Sequence, residues 1–169
     1  MILTSYDPER NFDTLRGWIT GEREHALWCA GRFACPLDRE NFAAALRELA
    51  EKKGDRPLLA LAEDGTPAGF LCCSVSPETR TGRLKFVAVD PARRGEGLGR
   101  SMVRLAVREA FASGAEEVRL AVFEQNPRAL RCYLSAGFRV LGADPGAFRF
   151  GDEVWTRVHM GIRREDFPG

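Results

Sequence analysis

Residues 84–101 place a strand, a glycine-rich turn and the start of a helix in one unbroken run, and everything else must be arranged around it. Leu84-Lys85-Phe86-Val87-Ala88-Val89 is rich in β-branched and aromatic residues, and Asp90-Pro91 ends it with turn chemistry. From Leu98 onward, Leu98, Met102, Leu105, Ala106 and Ala110 recur at helical spacing, so a helix opens directly on the glycines. The first amides of a helix lack internal partners, and the helix dipole adds partial positive charge there. Gly95, Gly97 and Gly99 let backbone approach a ligand with no Cβ in the way, while Arg93, Arg94 and Arg100 surround the turn with formal charge. The run reads as a cradle for a pyrophosphate.

Two common nucleotide loops do not fit. A Walker-type loop needs Lys-Ser/Thr after its second glycine, and Arg100 stands where the pattern from Gly95 requires glycine. The dinucleotide fingerprint G-x-G-x-x-G fails because Met102 follows Gly99 at the third position. Arg94-Gly95-Glu96-Gly97-Leu98-Gly99 instead resembles the R/Q-x-x-G-x-G/A signature of the GNAT N-acetyltransferases. A second segment, Asn126-Pro127-Arg128-Ala129-Leu130-Arg131-Cys132-Tyr133-Leu134-Ser135-Ala136-Gly137-Phe138, is similar to that family's N-x-x-A-x-x-x-Y-x-x-x-G-F motif. Here Asn126 suits an N-cap, Pro127 a first turn and Gly137 the residue past a helix end. Asn126 and Tyr133 are two turns apart, hence on one helix face. The two motifs cover about residues 57–142 together with their flanking strands.

The resemblance implies a single GNAT acyltransferase domain over 1–169. Its α/β fold is a mixed, twisted central sheet with helices on both faces, splayed at the acetyl-CoA site between residues 84–89 and 118–122. It implies acetyl-CoA as co-substrate, no metal, and a cofactor site of Val87, Ala88, Val89, Arg94, Gly95, Glu96, Gly97, Leu98, Gly99, Arg100, Asn126, Ala129 and Tyr133. By the same resemblance the Val87 N–H polarises the thioester carbonyl and Tyr133 serves the leaving sulfur. The family's usual strand carboxylate is missing: Arg83 and Lys85 stand on the first strand and Ala121 on the second. The remaining candidate bases are Glu124, Glu22, Glu24 and His25, of which Glu124 is best placed, at the end of a water relay. An acceptor of low pKa is then expected, an α-amino group rather than a lysine side chain, because it needs less deprotonation. The general layout is similar to acetyltransferases of ribosomal-protein N-termini and small amines. A non-catalytic acyl-CoA sensor and a transferase for a longer acyl group are the alternatives.

Composition narrows the partners. A net charge of +1 over 169 residues carries no nucleic-acid footprint. No apolar run reaches the ~18–20 residues of a membrane span, and the N-terminus lacks the basic and apolar regions of a signal peptide. Five cysteines without a C-x-x-C pair read as small core residues of a reducing compartment, so a cytoplasmic protein is expected. The partner expected is an amine acceptor, a small molecule or a peptide N-terminus, with no nucleic acid and no membrane; a homodimer is left open. Cys72 and Cys73 should face opposite sides of a strand.

Along the chain, 1–6 reads as a strand and Asp7-Pro8 opens a helix to about Thr20. Gly21 to Pro36 shows no period; Trp28 and Phe33 there are candidates for an acceptor-site wall or for plain core. Asp38 caps a helix to about Lys53. Strands follow at 58–63 and 68–75, joined by an Asp64-Gly65 turn. After the glycine-rich turn, the cofactor helix runs 98–113 and a strand 118–122. Residues 138–141 and 154–160 form a closing pair, with Gly142 to Asp152 as a loop between them.

Overall fold

Three of the five α-helices begin behind a side chain that caps them. In the computed structural model, which describes residues 1–167, α1 (Pro8–Trp18) starts behind Asp7, whose side chain accepts from the Glu9 N–H. Asp38 caps α3 (Arg39–Lys53) by accepting from the Asn41 N–H, and Asn126 caps α5 (Pro127–Ala136) by accepting from the Ala129 N–H. The cofactor-type helix α4 spans Leu98–Ala112. The stretch without a period contains α2 (Glu22–Cys29). This helix is short, has Gly21 at its N-cap with no side-chain bond, and buries His25, Ala26 and Cys29 against more than one neighbour, so no single apolar stripe announces it.

One sheet holds seven strands in the order β1-β2-β3-β4-β5-β7-β6: β1 (Ile2–Ser5), β2 (Arg56–Leu61), β3 (Pro67–Ser76), β4 (Thr81–Val89), β5 (Glu117–Phe123), β6 (Arg139–Phe150) and β7 (Glu153–Arg163). Every neighbour pair is antiparallel except β4–β5, which is parallel with α4 as its crossover. That parallel pairing covers only Thr81–Arg83 against Glu117–Arg119. Beyond it β4 and β5 diverge, each still paired on its outer side to β3 and β7. The sheet is therefore splayed at the expected place.

Helices cover both faces. Leu71, Cys73, Leu84, Val118 and Leu120 pack with α4 and α5 on one side. Phe70, Cys72 and Ala88 pack with Tyr6, Phe12, Leu15, Phe42 and Leu46 from the β1–α1 and α3 side on the other. Cys72 and Cys73 thus face opposite cores, and all five cysteines are free thiols. Among the described residues, no helix is long and apolar enough to cross a membrane.

The expected loop Gly142–Asp152 is not a loop. Strand β6 runs from Arg139 to Phe150, with register shifts at Val140/Gly142 and at Asp144/Phe148. It is an edge strand, so Pro145 removes no ladder bond on its free side, and bulges absorb the extra residues. The turn is reduced to Gly151-Asp152.

Candidate active site

The loop before α4 leaves donors unused. Asp90 ends β4 by giving its N–H to the Ala68 carbonyl, and its side chain accepts from the Ala92 N–H at 2.9 Å. A 3-10 turn over Pro91–Arg93 follows, and Gly95 and Gly97 then adopt φ of +93° and +77°. Gly97 is the N-cap of α4 and supplies no side-chain bond, whereas Asp7, Asp38 and Asn126 cap their own helices. The amides of Leu98, Gly99 and Arg100 therefore open on a bare helix N-terminus. A Cβ at Gly95 or Gly97 would meet nothing within 4 Å, so the space above the loop is clear. At Gly99 it would meet Cys132 Sγ at 3.2 Å and Val89 Cγ2 at 3.3 Å; this glycine seats α4 between α5 and β4.

The arginines divide into two groups. Arg93 turns away from the loop, bonding Glu96 Oε2 at 3.0 Å and Thr66 Oγ1 at 3.0 Å, so its charge and that of the Glu96 carboxylate are spent on each other. Arg94, Arg100 and Arg128 have no carboxylate in ion-pair distance among the described residues. Desolvation holds the Arg94 guanidinium below its usual range, and the charge of Arg128 adds to it, with Glu24 and Asp90 opposing. Arg94 and Arg128 thus set two mutually repelling cations close to the bare helix end. A diphosphate fits the bare helix end and this rim.

Strand β4 is broken at the point where the splay begins. Phe70 pairs with Ala88 and Cys72 with Lys85, leaving Leu71 opposite both Phe86 and Val87. Phe86 takes φ of +52°, costing about 1–2 kcal/mol for a side chain of this kind. Its carbonyl is turned out of the ladder and accepts from Trp28 Nε1–H on α2 at 2.8 Å. Phe33 packs on Phe86 with centroids 4.7 Å apart, and Trp28 lies 5.4 Å from Phe33. Trp28 and Phe33 are thus the wall that holds the bulge, and the bulge takes the Val87 amide out of the register with β3. Trp28→Phe should leave the Phe86 carbonyl unpaired, lowering stability by about 1–3 kcal/mol in denaturant unfolding. An unchanged unfolding midpoint would show that this bond does not hold the bulge.

On α5, Asn126 is engaged in capping, with Oδ1 accepting from the Ala129 N–H at 3.2 Å. Two turns on, Tyr133 is 6 % exposed among the α4–α5 core residues, its ring 6.1 Å from that of Phe138. Burial pushes its phenol well above the ordinary range, with nearby Cys132 adding to the shift. At neutral pH Tyr133 is a proton donor. In the turn between β5 and α5, Gln125 Oε1 is buried with no hydrogen-bond partner. An orphaned buried acceptor beside the diverging strands suits a ligand that brings N–H groups.

Helix α2 bridges the splay. Trp28 binds β4, while Ala26 packs with Phe123 of β5 and Trp155 of β7. At its start Arg23 forms a two-pronged pair with Glu153 in the β6–β7 hairpin, its guanidinium 5.2 Å from the Trp155 ring centroid. The Arg23 bond holds the Glu153 carboxyl below the usual carboxylate range. Of the candidate bases, His25 is 4 % exposed, with Cys29 Sγ 3.6 Å from its ring nitrogens; burial lowers its pKa and shuts it off from the gap. Glu22 and Glu24 are exposed at the start of α2. Glu124 is exposed one residue beyond β5, its N–H bonded to the Thr156 carbonyl. Lys85 does not offer a charge to the gap: its Nζ bonds both oxygens of buried Asp55, at 2.8 and 2.7 Å. Sequence reasoning missed one further pair, His159 with Asp144. The two sit in segments read as a strand and a loop, and nothing in their spacing joins them. The larger surface concavity, about 620 Å³ beside Arg93, Glu96 and Arg104 on the outside of α4, includes neither Val87 nor Tyr133.

These features agree with what the chain is similar to. The acetyltransferase (GNAT) family profile matches residues 14–138. A mycothiol acetyltransferase of Kineococcus radiotolerans is 40 % identical over 97 residues, 57 % of this chain and 31 % of that protein. A streptothricin acetyltransferase of Streptomyces lavendulae is 31 % identical over 99 residues, 59 % of this chain and 52 % of that protein. The chain thus spans about half or less of these relatives. A spermidine N-acetyltransferase from Vibrio cholerae, solved with CoA and spermine, superposes with a TM-score of 0.81 at 15 % identity, covering 98 % of this chain and 96 % of that one. Splayed sheet, bare helix end and family match converge: the chain belongs to the GNAT family of acetyltransferases.

Proposed function

We propose that the chain is an acetyl-CoA-dependent N-acetyltransferase whose acceptor is a primary amine, on a small molecule or at a peptide N-terminus. The observation that carries this is the uncapped N-terminus of α4, rimmed by Arg94, Arg100 and Arg128, at the mouth of the β4–β5 gap. The pyrophosphate would rest on the amides of residues 95–100, and the pantetheine arm would pair with backbone of Val87, Ala88 and Val89 as an added strand. Asn126 and Ala129 shape the α5 end of that gap.

The acetyl carbonyl oxygen, hydrogen-bonded to the Val87 N–H, gathers negative charge as a neutral amine attacks its carbon. The C–N bond forms, the C–S bond breaks, and the thiolate takes a proton from Tyr133. The attacking nitrogen loses one proton to a base. Neither a metal nor a covalent acyl-enzyme is needed for this transfer.

The experiment is calorimetry with CoA thioesters of increasing acyl length, joined to a turnover assay across an amine panel. Acetyl-CoA binding with turnover of α-amines is the expected result. An α-amino group, of pKa about 7.7–8.0, is partly neutral at pH 7.5, whereas a lysine side chain near 10.4 is not. A peptide with one free α-amine should therefore outpace one with only a free lysine by roughly tenfold or more in kcat/KM. Faster turnover of the lysine peptide, or of spermine, would overturn this choice of acceptor. Tight binding of a long acyl-CoA with no transfer would leave a sensor.

A further inference from the structure

The reaction needs a group to take the amine's proton, and the sheet face beside the gap holds no carboxylate in the obvious places. Past the last β4–β5 pair, the first side chains on the α2 side are Lys85, bound to Asp55, and Ala121, an exposed methyl. Glu124 lies past the end of β5, exposed in the turn that leads to α5.

Strand β7 supplies what β5 lacks. His159 is paired with Ala121 in the antiparallel register, so the two side chains share a face. Neighbouring strands lie about 4.8 Å apart, which sets the imidazole one strand from the gap with only a methyl between. The ring is ordered by β6: His159 Nε2 lies 2.6 Å from Asp144 Oδ2. A carboxylate carries no proton, so Nε2 is the protonated nitrogen and Nδ1 holds the free lone pair. No protein group bonds Nδ1 among the described residues. The β6 bulges create the pair, because Gly142 opposes His159 and Asp144 opposes Arg157, which puts the carboxylate diagonal to the ring. Side-chain exposures of 43 % and 60 % leave the dyad open to water.

We propose that His159, oriented by Asp144, is the proton acceptor for the attacking amine, acting through a water beside Ala121. This rests on the acetyltransferase reading above. The amine N–H gives its proton to the water, the water gives one to Nδ1, and the Asp144 carboxylate stabilises the imidazolium formed. The ring then returns its proton to solvent. The other charges on this face include Arg157, Arg163 and the Arg23-paired Glu153 on β7, Arg119 with its partner Glu117 on β5, and Arg83 with the Lys85–Asp55 pair on β4. The dyad therefore faces several cations and has Asp144 as its own anionic partner.

The test is kcat/KM against pH for the intact chain, His159→Gln, Asp144→Asn and Glu124→Gln. Two acceptors are used: an α-amine and a weakly basic amine that is already neutral at the assay pH. Calorimetry with CoA accompanies each variant. His159→Gln should lower turnover of both amines by roughly 10²-fold and remove the acid limb seen with the weakly basic amine, whose own protonation lies below the assayed range. CoA affinity should not change. Asp144→Asn should shift that limb, and Glu124→Gln should leave it in place. A His159→Gln profile matching the unsubstituted chain, or a limb that vanishes only in Glu124→Gln, overturns the assignment while the transferase reading stands. Failure of the unsubstituted chain to acetylate any amine removes both.

Discussion

A Gly97→Val chain is expected to fold and to lose CoA affinity by about 10²-fold or more. The protein itself has room for the new side chain, since a Cβ at this position meets nothing within 4 Å. Residue 97 sits at φ +77°, so the substitution costs about 1 kcal/mol or somewhat more in strain, well short of total stability. The larger effect falls on the ligand. A β-branched side chain above the bare N-terminus of α4 occupies the volume a diphosphate needs, and two hydrogen bonds to a charged group, each ~1.5–3 kcal/mol, are lost together. Gly99 is a poorer probe than sequence reasoning suggests. Its Cβ would press on Cys132 and Val89, so a valine there tests the packing of α4 as much as the cradle. The measurement is calorimetric titration with CoA beside a thermal melt. A folded Gly97→Val chain with undiminished affinity would place the phosphate site elsewhere.

The parts of this site that sequence reading found are those whose chemistry is local. A glycine at a helix start, an Asn cap, a proline in the first turn and a tyrosine seven residues on each follow from spacing within one element, and each stands where it was expected. What sequence reading could not find depends on register between elements distant in the chain. Trp28 meets the Phe86 carbonyl across 58 residues, through a bulge that period-two alternation does not reveal. His159 and Asp144 meet only because two bulges shift β6 against β7. Lys85 stands on the first strand where the family's carboxylate is missing, but buried Asp55, just past the end of α3, claims its charge. The Gly142–Asp152 segment reads as a loop because Pro145 and three glycines are rarely seen together in a central strand, and at a sheet edge that objection falls away.

Tyr133→Phe should lower turnover by roughly 10²-fold, the low end for proton transfer from a positioned acid, while CoA affinity stays the same. The ring is buried beside Phe138 and the α4–α5 core, and phenylalanine keeps that packing, so the fold is expected to survive. What disappears is one O–H in a place where a thiolate must be born away from bulk water. Burial raises the phenol's pKa, so it stays protonated through the neutral range, and its loss should scale the rate evenly across that range. This separates it from His159, whose removal should change the shape of the acid limb seen with the weakly basic amine instead. The double variant then gives a check on the mechanism. If one group takes the amine's proton and the other gives a proton to sulfur in the same transition state, the second substitution should cost less than it does alone. Equal turnover by Tyr133→Phe and the unsubstituted chain in a single-turnover assay, where product release cannot mask chemistry, would reduce Tyr133 to packing and leave the thiolate to depart unprotonated.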